Sequence, residues 1–287
     1  MTTSPIGSVV IPAHNEAAVI GRCLDALLAD LAPGELDVVV SCNGCTDDTA
    51  NIVRTSWPTV RVIETSQASK PAALRAADEI LSVFPRIYLD ADIILSGASA
   101  RIIIEHLQTG SALGVRPSVS YDLSNADLLV RRYYQAAARV YSRTTSLWGG
   151  CGAYGLSAVG RGRFEAFPDL IADDLFVAKW FEPSEVETVN SAHAVVTVPR
   201  RTTVLFQVLR RRHQGNVDIR NLPDGPRSTV LATVRSLVVA AMSGPNAAVD
   251  TVIFMGIAAA VRITRAISPP AGWTRDVSSR EGAMTPK

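Results

Sequence analysis

The run Ile87-Tyr88-Leu89-Asp90-Ala91-Asp92 ends a short apolar stretch in two carboxylates one residue apart. Residues 87–89 read as a buried strand. In extended backbone, residues i and i+2 point to one side, so Asp90 and Asp92 are expected to face one point beyond the strand's end. Carboxylates suit hard divalent cations, and Mg²⁺ is typically held by one or two of them with substrate phosphates. In open α/β sheets, ligands sit outside the carboxyl ends of the strands. The plain alternative is a pair of solvated turn acids. A second pair, Asp173-Asp174, precedes Leu175-Phe176-Val177. Acids there fit a helix N-terminus, where they meet the positive end of the helix dipole.

These acids need elements to position them. Residues 8–11 read as a first strand that stops at Pro12-Ala13-His14-Asn15-Glu16, and residues 17–30 as a helix with Ala18, Ile20, Leu24, Leu27 and Leu28 at helical spacing. Pro33-Gly34 is a turn. A second strand over 36–41 ends in Cys42-Asn43-Gly44-Cys45-Thr46-Asp47-Asp48-Thr49, where Asn-Gly suits a tight turn and the Thr/Asp run a helix cap. A helix over 47–56, a strand over 60–63 and a helix opened by Lys70-Pro71 lead to the Ile87 strand. Four strands thus alternate with three helices in about 95 residues, the βαβ pattern of a mostly parallel sheet. Parallel strands put their terminal loops on one edge, so His14-Asn15-Glu16, Asn43-Gly44 and Asp90/Asp92 are expected to converge there.

Together these pieces carry a resemblance. Val9-Val10-Ile11-Pro12-Ala13-His14-Asn15-Glu16, Asn43-Gly44-Cys45-Thr46-Asp47-Asp48-Thr49, Ser69-Lys70-Pro71-Ala72-Ala73-Leu74 and Leu89-Asp90-Ala91-Asp92 resemble, in order and spacing over roughly residues 8–215, a family 2 glycosyltransferase of the GT-A fold. The resemblance implies a Rossmann-like mixed, mostly parallel α/β sheet with flanking helices, and an inverting transferase. Its donor is a nucleotide-diphosphate sugar (UDP-, GDP- or dTDP-linked) and its cofactor a divalent metal, Mg²⁺ or Mn²⁺. It assigns the nucleotide-sugar to Pro12, Ala13, Asn15, Glu16, Asn43, Lys70, Asp90, Ala91, Gly150 and Arg211, and the metal to Asp90, Asp92 and His213. The family's Glu-Asp motif falls on Asp173-Asp174, which makes Asp174 the base that takes the acceptor hydroxyl's proton. One departure is the pair Cys42-Asn43, where the family often has Asp-Asp or Asp-Asn. An amide at Asn43 in place of the base-reading acid leaves the choice of nucleotide open.

Other features weigh less. Trp148-Gly149-Gly150-Cys151-Gly152-Ala153-Tyr154-Gly155 contains G-x-G-x-x-G, but residues 143–147 are too polar for the strand a dinucleotide fold needs first. It reads as a flexible loop before a strand over 153–157, and in the resembling family it borders sugar and acceptor. Gln207-Val208-Leu209-Arg210-Arg211-Arg212-His213 resembles the Q-x-x-R-W element of processive relatives, with Arg for Trp; Arg211 or His213 then reaches the pyrophosphate, or the run is a surface basic patch. Cys42-x-x-Cys45 supplies only two ligands where a structural zinc takes four. A helix over 127–141 carries Arg131, Arg132 and Arg139, a solvated face or a phosphate or lipid-headgroup site.

Composition bounds the rest. The chain has 287 residues, 47% of them hydrophobic, so a sizeable core is expected. A net charge of +1 gives no field for a nucleic acid, and four cysteines make no disulfide framework. No signal peptide is read at the N-terminus. The chain is expected to be cytoplasmic, with peripheral contact at the inner face of the membrane as its membrane option. Segments 231–242 and 247–261 are apolar but interrupted by Arg235, Pro245 and Asp250, and read as too short to span a bilayer. Arg262 and Arg265 suit anionic lipid. The expected domains are 1–225 for the catalytic domain, 226–267 for C-terminal helices and 268–287 for a disordered tail. The acceptor is a lipid-linked, glycan or small-molecule hydroxyl. Two rivals stand beside transfer: a sugar-1-phosphate nucleotidyltransferase, which wants a Gly-rich, Arg-containing loop after the first strand, and a non-catalytic nucleotide-sugar binder.

Overall fold

The computed structural model describes residues 4–141, 152–170, 172–220 and 230–267, with the backbone alone at 214, 216–220, 230–234 and 265–267. Strand and helix alternate at the start: β1 (Gly7–Ala13), α1 (Ile20–Leu28), β2 (Leu36–Asn43), α2 (Thr49–Ser56), β3 (Arg61–Thr65), α3 (Lys70–Ile80) and β4 (Arg86–Leu89). Val9, Val10 and Ile11 and their neighbours Val38, Val39 and Val40 are buried, as strands covered on both faces must be. Helix α1 buries Ile20, Cys23, Leu24 and Leu27, a stripe at i, i+3, i+4 and i+7. Helix α3 starts where Ser69 accepts the Ala72 N–H and Pro71 occupies the first turn. Its first residue, Lys70, is thereby set at the carboxyl edge of the sheet.

The chain continues through β5 (Ile93–Leu95), α4 (Gly97–Gln108), β6 (Gly114–Asp122), α5 (Leu128–Tyr141), β7 (Ala153–Leu156), α6 (Ala158–Arg161) and α7 (Asp173–Ala178). After a 3-10 turn at Pro183–Glu185 come β8 (Val186–Thr197), α8 (Thr202–Arg220), α9 (Val230–Ala241) and α10 (Pro245–Ile267). Eight strands form one sheet in the order β3-β2-β1-β4-β7-β6-β8-β5. Strands β1 to β4 pair in parallel, while β7 runs antiparallel to β4 and β6, and β8 to β5. This is the mixed α/β sheet with flanking helices that the resemblance implies.

Some boundaries differ from the sequence reading. Strand β1 runs on through Pro12 and Ala13, which pair with Ser41 and Cys42 of β2; pairing with β4 has already stopped at Val10. The missing N–H of Pro12 therefore leaves no bond unmade on the β4 side. Strand β5 is too short to show a period, and β8 opens on the polar run Val186-Glu187-Thr188-Val189-Asn190-Ser191, of which only Val189 is buried.

By its contacts the chain divides into two compact units, Met1–Val119 with Trp148–Val196, and Ser120–Leu147 with Thr197–Lys287. The first is built on a core that includes Val9, Ile11, Leu24, Val40, Ile87, Leu95 and Ile104. In the second, Val130, Tyr133 and Ala137 of α5, Leu205 and Leu209 of α8, and Phe254, Ile257 and Val261 of α10 share one buried cluster. Helices α5 and α8 thus group with the C-terminal helices, and the division does not follow the expected boundary at 225.

The expectation that both C-terminal apolar segments fall short of a membrane span is corrected for α10. Its Pro245–Thr264 stretch of 20 residues, mean hydropathy 1.7, is long and apolar enough to cross a membrane, and 33% of it is buried inside the protein. Asp250 does not break the helix because Arg132 and Arg139 pair with its carboxylate.

The turn after β2 gives a stability prediction. Gly44 has φ +57°, and a Cβ there would lie 2.9 Å from the Ala68 backbone. Gly44→Ala is expected to lose about 1–3 kcal/mol, read as a lower urea midpoint. An unchanged midpoint would show that the turn relaxes freely.

Candidate active site

Two loops at the carboxyl edge, those after β1 and β2, are tied together by side-chain to backbone bonds. Asn15 adopts the left-handed conformation (φ 54°), which asparagine tolerates better than most residues. Its Oδ1 accepts the N–H groups of Thr46 at 2.6 Å and Asp47 at 3.1 Å. In return, Glu16 N–H donates to Thr49 Oγ1 at 2.8 Å, and Ala17 N–H to Asp47 Oδ2 at 3.1 Å. His14 Nδ1 meets the Asn43 carbonyl. Pro12, Ala13 and Glu16 are buried. Beside them, Asn43 is 3% exposed and its Oδ1 is buried with no hydrogen-bond partner. Ser41 Oγ and Thr65 Oγ1 are in the same condition, and Thr65 is the register partner of Asn43. A buried polar group left unpaired costs about 1–3 kcal/mol, which a donor reaching these oxygens would offset.

The acids lie one loop away, in a turn. Strand β4 ends at Leu89, and Ile93 N–H donates back to the Asp90 carbonyl at 3.1 Å. The extended geometry expected for Asp90 and Asp92 is therefore replaced by a tight turn. Both acids still act on one spot: burial, then the charges of Asp92, Asp90 and Glu16, push the Cys23 thiol up. Asp90 N–H donates to the Gly152 carbonyl at 2.7 Å. Gly152 has φ +63°, and a Cβ on it would meet Ile93 at 2.5 Å and stand 3.4 Å from Asp90 Oδ2. Glycine keeps that side of the carboxylate open.

Lys70 joins this turn to the second acidic pair. Its Nζ lies 2.6 Å from Asp90 Oδ1 and 2.7 Å from Asp173 Oδ1. Asp173 is 6% exposed, and Tyr154 Oη donates to its Oδ2 at 3.3 Å. Tyr154 is held in turn by stacking on Tyr88, with ring centroids 5.1 Å apart. Burial raises the Asp173 carboxyl; Lys70 pulls it down and Asp174 and Asp90 add to the rise, leaving it at about 6. Burial also works against the Lys70 ammonium, but Asp173 and Asp90 outweigh it and hold its pKa above the ordinary value. Asp174 is half-buried and its Oδ1 accepts the Leu175 N–H at 2.8 Å. The reading of Asp173 as a helix-terminal acid is too small: its carboxylate is turned into the protein, onto Lys70.

The Lys70 ammonium lies between the carboxylates of Asp90 and Asp173, with Asp92 and Asp174 close by in the chain. Among the described residues no three His, Cys, Asp or Glu side chains gather as a closed metal cage. The donor set fits a hard divalent cation held by one or two carboxylates that takes its other ligands from phosphate and water.

Other predicted residues are placed as follows. Ala91 is buried and Asp92 half-buried beside Asp90. Arg211 and His213 lie half-buried on α8, in the second unit; their roles rest on the resemblance. Gly150 falls outside the described residues. Sequence reasoning did not single out Tyr154, whose one signal is its place between two glycines on a strand leading to the edge. Nor did it assign Asp47 and Thr49 their clamp.

Residues 8–168 match the family model described as Glycosyl transferase family 2. No curated protein sequence matches the chain. Among solved structures, a mannosyltransferase from Pyrobaculum calidifontis, in complex with GDP-Man and Mn²⁺, is similar at TM-score 0.64 and 19% identity, over 94% of this chain and 89% of that one. Glucosyl-3-phosphoglycerate synthase from Mycobacterium tuberculosis, with Mn²⁺ and UDP-glucose, gives 0.52 at 23% identity over 77% and 80%. TarS from S. aureus, with UDP-GlcNAc, gives 0.51 at 13% over 90% and 91%. At these identities the likeness is one of fold.

The buried acid has a pH signature. Asp173 sits at about 6 in the folded protein, against about 3.9 for a free aspartate. An acid whose pKa is raised by folding favours the fold only while protonated. Its contribution is complete below about pH 4 and is lost as pH rises through about 6, by at most roughly 3 kcal/mol. Asp173→Asn is expected to flatten that part of the stability–pH curve in urea unfolding between pH 4 and 7. Parallel curves for variant and wild type would contradict the placement of this carboxylate.

Proposed function

This chain belongs to glycosyl transferase family 2, and we propose that it moves a sugar from a nucleotide-diphosphate sugar to an acceptor hydroxyl with inversion at the anomeric carbon. The observation that carries the reading is the Lys70 ammonium between Asp90 and Asp173 at the carboxyl edge of the sheet. Mn²⁺ and GDP- or UDP-linked sugars in the similar structures support the donor class.

Asn43 and Thr65, with their unpaired oxygens, receive the nucleobase end. The carbonyl acceptor of Asn43 suits a base that presents an N–H, and as an amide the same side chain can also donate. The loop of Pro12, Ala13, Asn15 and Glu16, locked by Asp47 and Thr49, forms the adjoining wall. Asp90 and Asp92 would hold Mg²⁺ or Mn²⁺, which would supply positive charge opposite the departing diphosphate. Lys70 already touches Asp90 and adds its own charge there. Gly152, whose carbonyl holds the Asp90 N–H, lets the donor approach Asp90 without a side chain on that side.

Asp174 takes the acceptor's proton. It follows Asp173 at the start of α7, and the two acids differ in setting: Asp173 is buried against Lys70 and Tyr154, and Asp174 is half-buried with its Oδ1 on the Leu175 N–H. Asp173 holds the lysine, and the base falls on Asp174, where the resemblance to the family's Glu-Asp motif puts it. The hydroxyl attacks from the face opposite the leaving group as Asp174 accepts its proton. The acceptor is a lipid-linked, glycan or small-molecule hydroxyl, and the protein works at the cytoplasmic side.

Asp174→Asn keeps size and shape and cannot take a proton at neutral pH. Transfer is expected to fall about 10²-fold or more, measured with the donor that most raises the melting temperature among UDP-, GDP- and dTDP-sugars with Mn²⁺. Donor affinity is expected to change by less than about 1 kcal/mol. A wild-type rate in Asp174→Asn would place the base elsewhere, and no transfer by the wild-type protein with any of these donors would make it a binder.

A further inference from the structure

The second unit holds an open cavity of about 460 Å³, walled by Leu128, Arg131, Arg132 and Arg139 of α5 and Asn246 and Asp250 of α10, none of them among the residues proposed for sugar transfer. Asp250 is fully buried in the long apolar helix, and Arg132 and Arg139 reach it at 3.0 and 2.7 Å. A buried carboxylate persists only when paired, so Asp250 fixes two guanidiniums one above the other on α5. Arg131 is fixed separately: its Nε donates to the Ala126 carbonyl at 2.8 Å and its Nη2 to the Ser124 carbonyl at 2.9 Å. Three arginines and one aspartate leave the cavity with two positive charges. Each guanidinium carries five N–H donors in a planar fork suited to phosphate, and they are in position before any ligand arrives.

The same unit exposes apolar surface that its core does not use. Helix α10 has two apolar faces. Ala247, Asp250, Phe254, Ile257 and Val261 turn inward. Val249, Val252 and Ile263, at 49%, 63% and 61% exposure, turn out. Leu128, on the rim of the arginine cavity, is 67% exposed, and Met242 just before α10 is 80% exposed. Arg235 and Arg262 are also exposed. Apolar side chains beside fixed arginines match the boundary of a membrane with negatively charged headgroups. A second copy of the chain would bring the same two positive charges to the interface. A span would carry Asp250 and its arginines into hydrocarbon.

We propose that the outer face of α10 and the adjoining end of α5 rest on a membrane surface containing anionic phospholipid, with a headgroup phosphate in the Arg131–Arg132–Arg139 cavity. None of these residues belongs to the carboxylate site, so the proposal stands or falls apart from the transfer reaction.

The test is co-sedimentation of the full chain with vesicles of phosphatidylcholine alone or mixed with phosphatidylglycerol. Binding is expected to the mixed vesicles at low salt, to be lost at high salt, and to be weak on phosphatidylcholine. Arg131→Gln removes a charge without unpairing Asp250 and is expected to weaken binding about fivefold. Val252→Glu alters only the exposed face and is expected to weaken it while leaving the melting temperature unchanged. Equal binding to both vesicles, no binding by the folded protein, or wild-type binding by both variants overturns the proposal. So does a rise in melting temperature with inorganic phosphate in the absence of vesicle binding, which marks a site for soluble anions. Retention on vesicles that only detergent reverses would make α10 a span and overturn the peripheral assignment.

Discussion

The ammonium of Lys70 is the contact on which the rest of the site depends. It joins a carboxylate that follows β4 to one that begins α7, more than eighty residues later, and each lies within 2.7 Å. Two carboxylates drawn together out of water repel and resist ionising. Between them the lysine keeps Asp173 ionisable near neutral pH in a place where burial alone would hold it protonated. The lysine stands there because Ser69 and Pro71 start α3 at that residue. Local helix-start chemistry thus fixes a long-range ionic bridge.

The surroundings follow from that bridge. The Asp90 backbone is held by the Gly152 carbonyl and the Asp173 side chain by Tyr154, so both partners of the lysine are restrained from outside the ion pair. Carboxylates at this edge suit a hard cation that brings a phosphate-bearing ligand with it. Beside them, the Asn43 side-chain oxygen is buried without a hydrogen-bond partner. A fold commonly departs from full satisfaction of its polar groups where it meets a ligand.

Much of this was legible in the sequence. Strand-helix alternation set the sheet and its edge, and the spacing of Asp90 and Asp92 named them as candidates there. Geometry finer than that was not legible. The acids were taken as extended, whereas the Asp90 carbonyl closes a turn onto Ile93. Asp173 has the same local context as a simple helix-terminal acid; only tertiary packing turns it onto Lys70. Tyr154 acts through a hydroxyl at the end of a buried ring, which no spacing announces. Helix α10 was read as broken because Asp250 looks like an interruption, and its partners, Arg132 and Arg139, lie over a hundred residues earlier.

The central claim is that this carboxylate cluster receives a divalent cation together with a nucleoside diphosphate. Titration of Mn²⁺ followed by electron paramagnetic resonance, with UDP or GDP present, tests it without relying on turnover. The wild-type protein is expected to bind Mn²⁺ in the presence of the matching diphosphate, and Asp90→Asn to weaken that binding by about tenfold or more. Equal Mn²⁺ affinity in the two folded proteins would contradict the assignment of Asp90 and, with it, the role given to the Lys70 bridge.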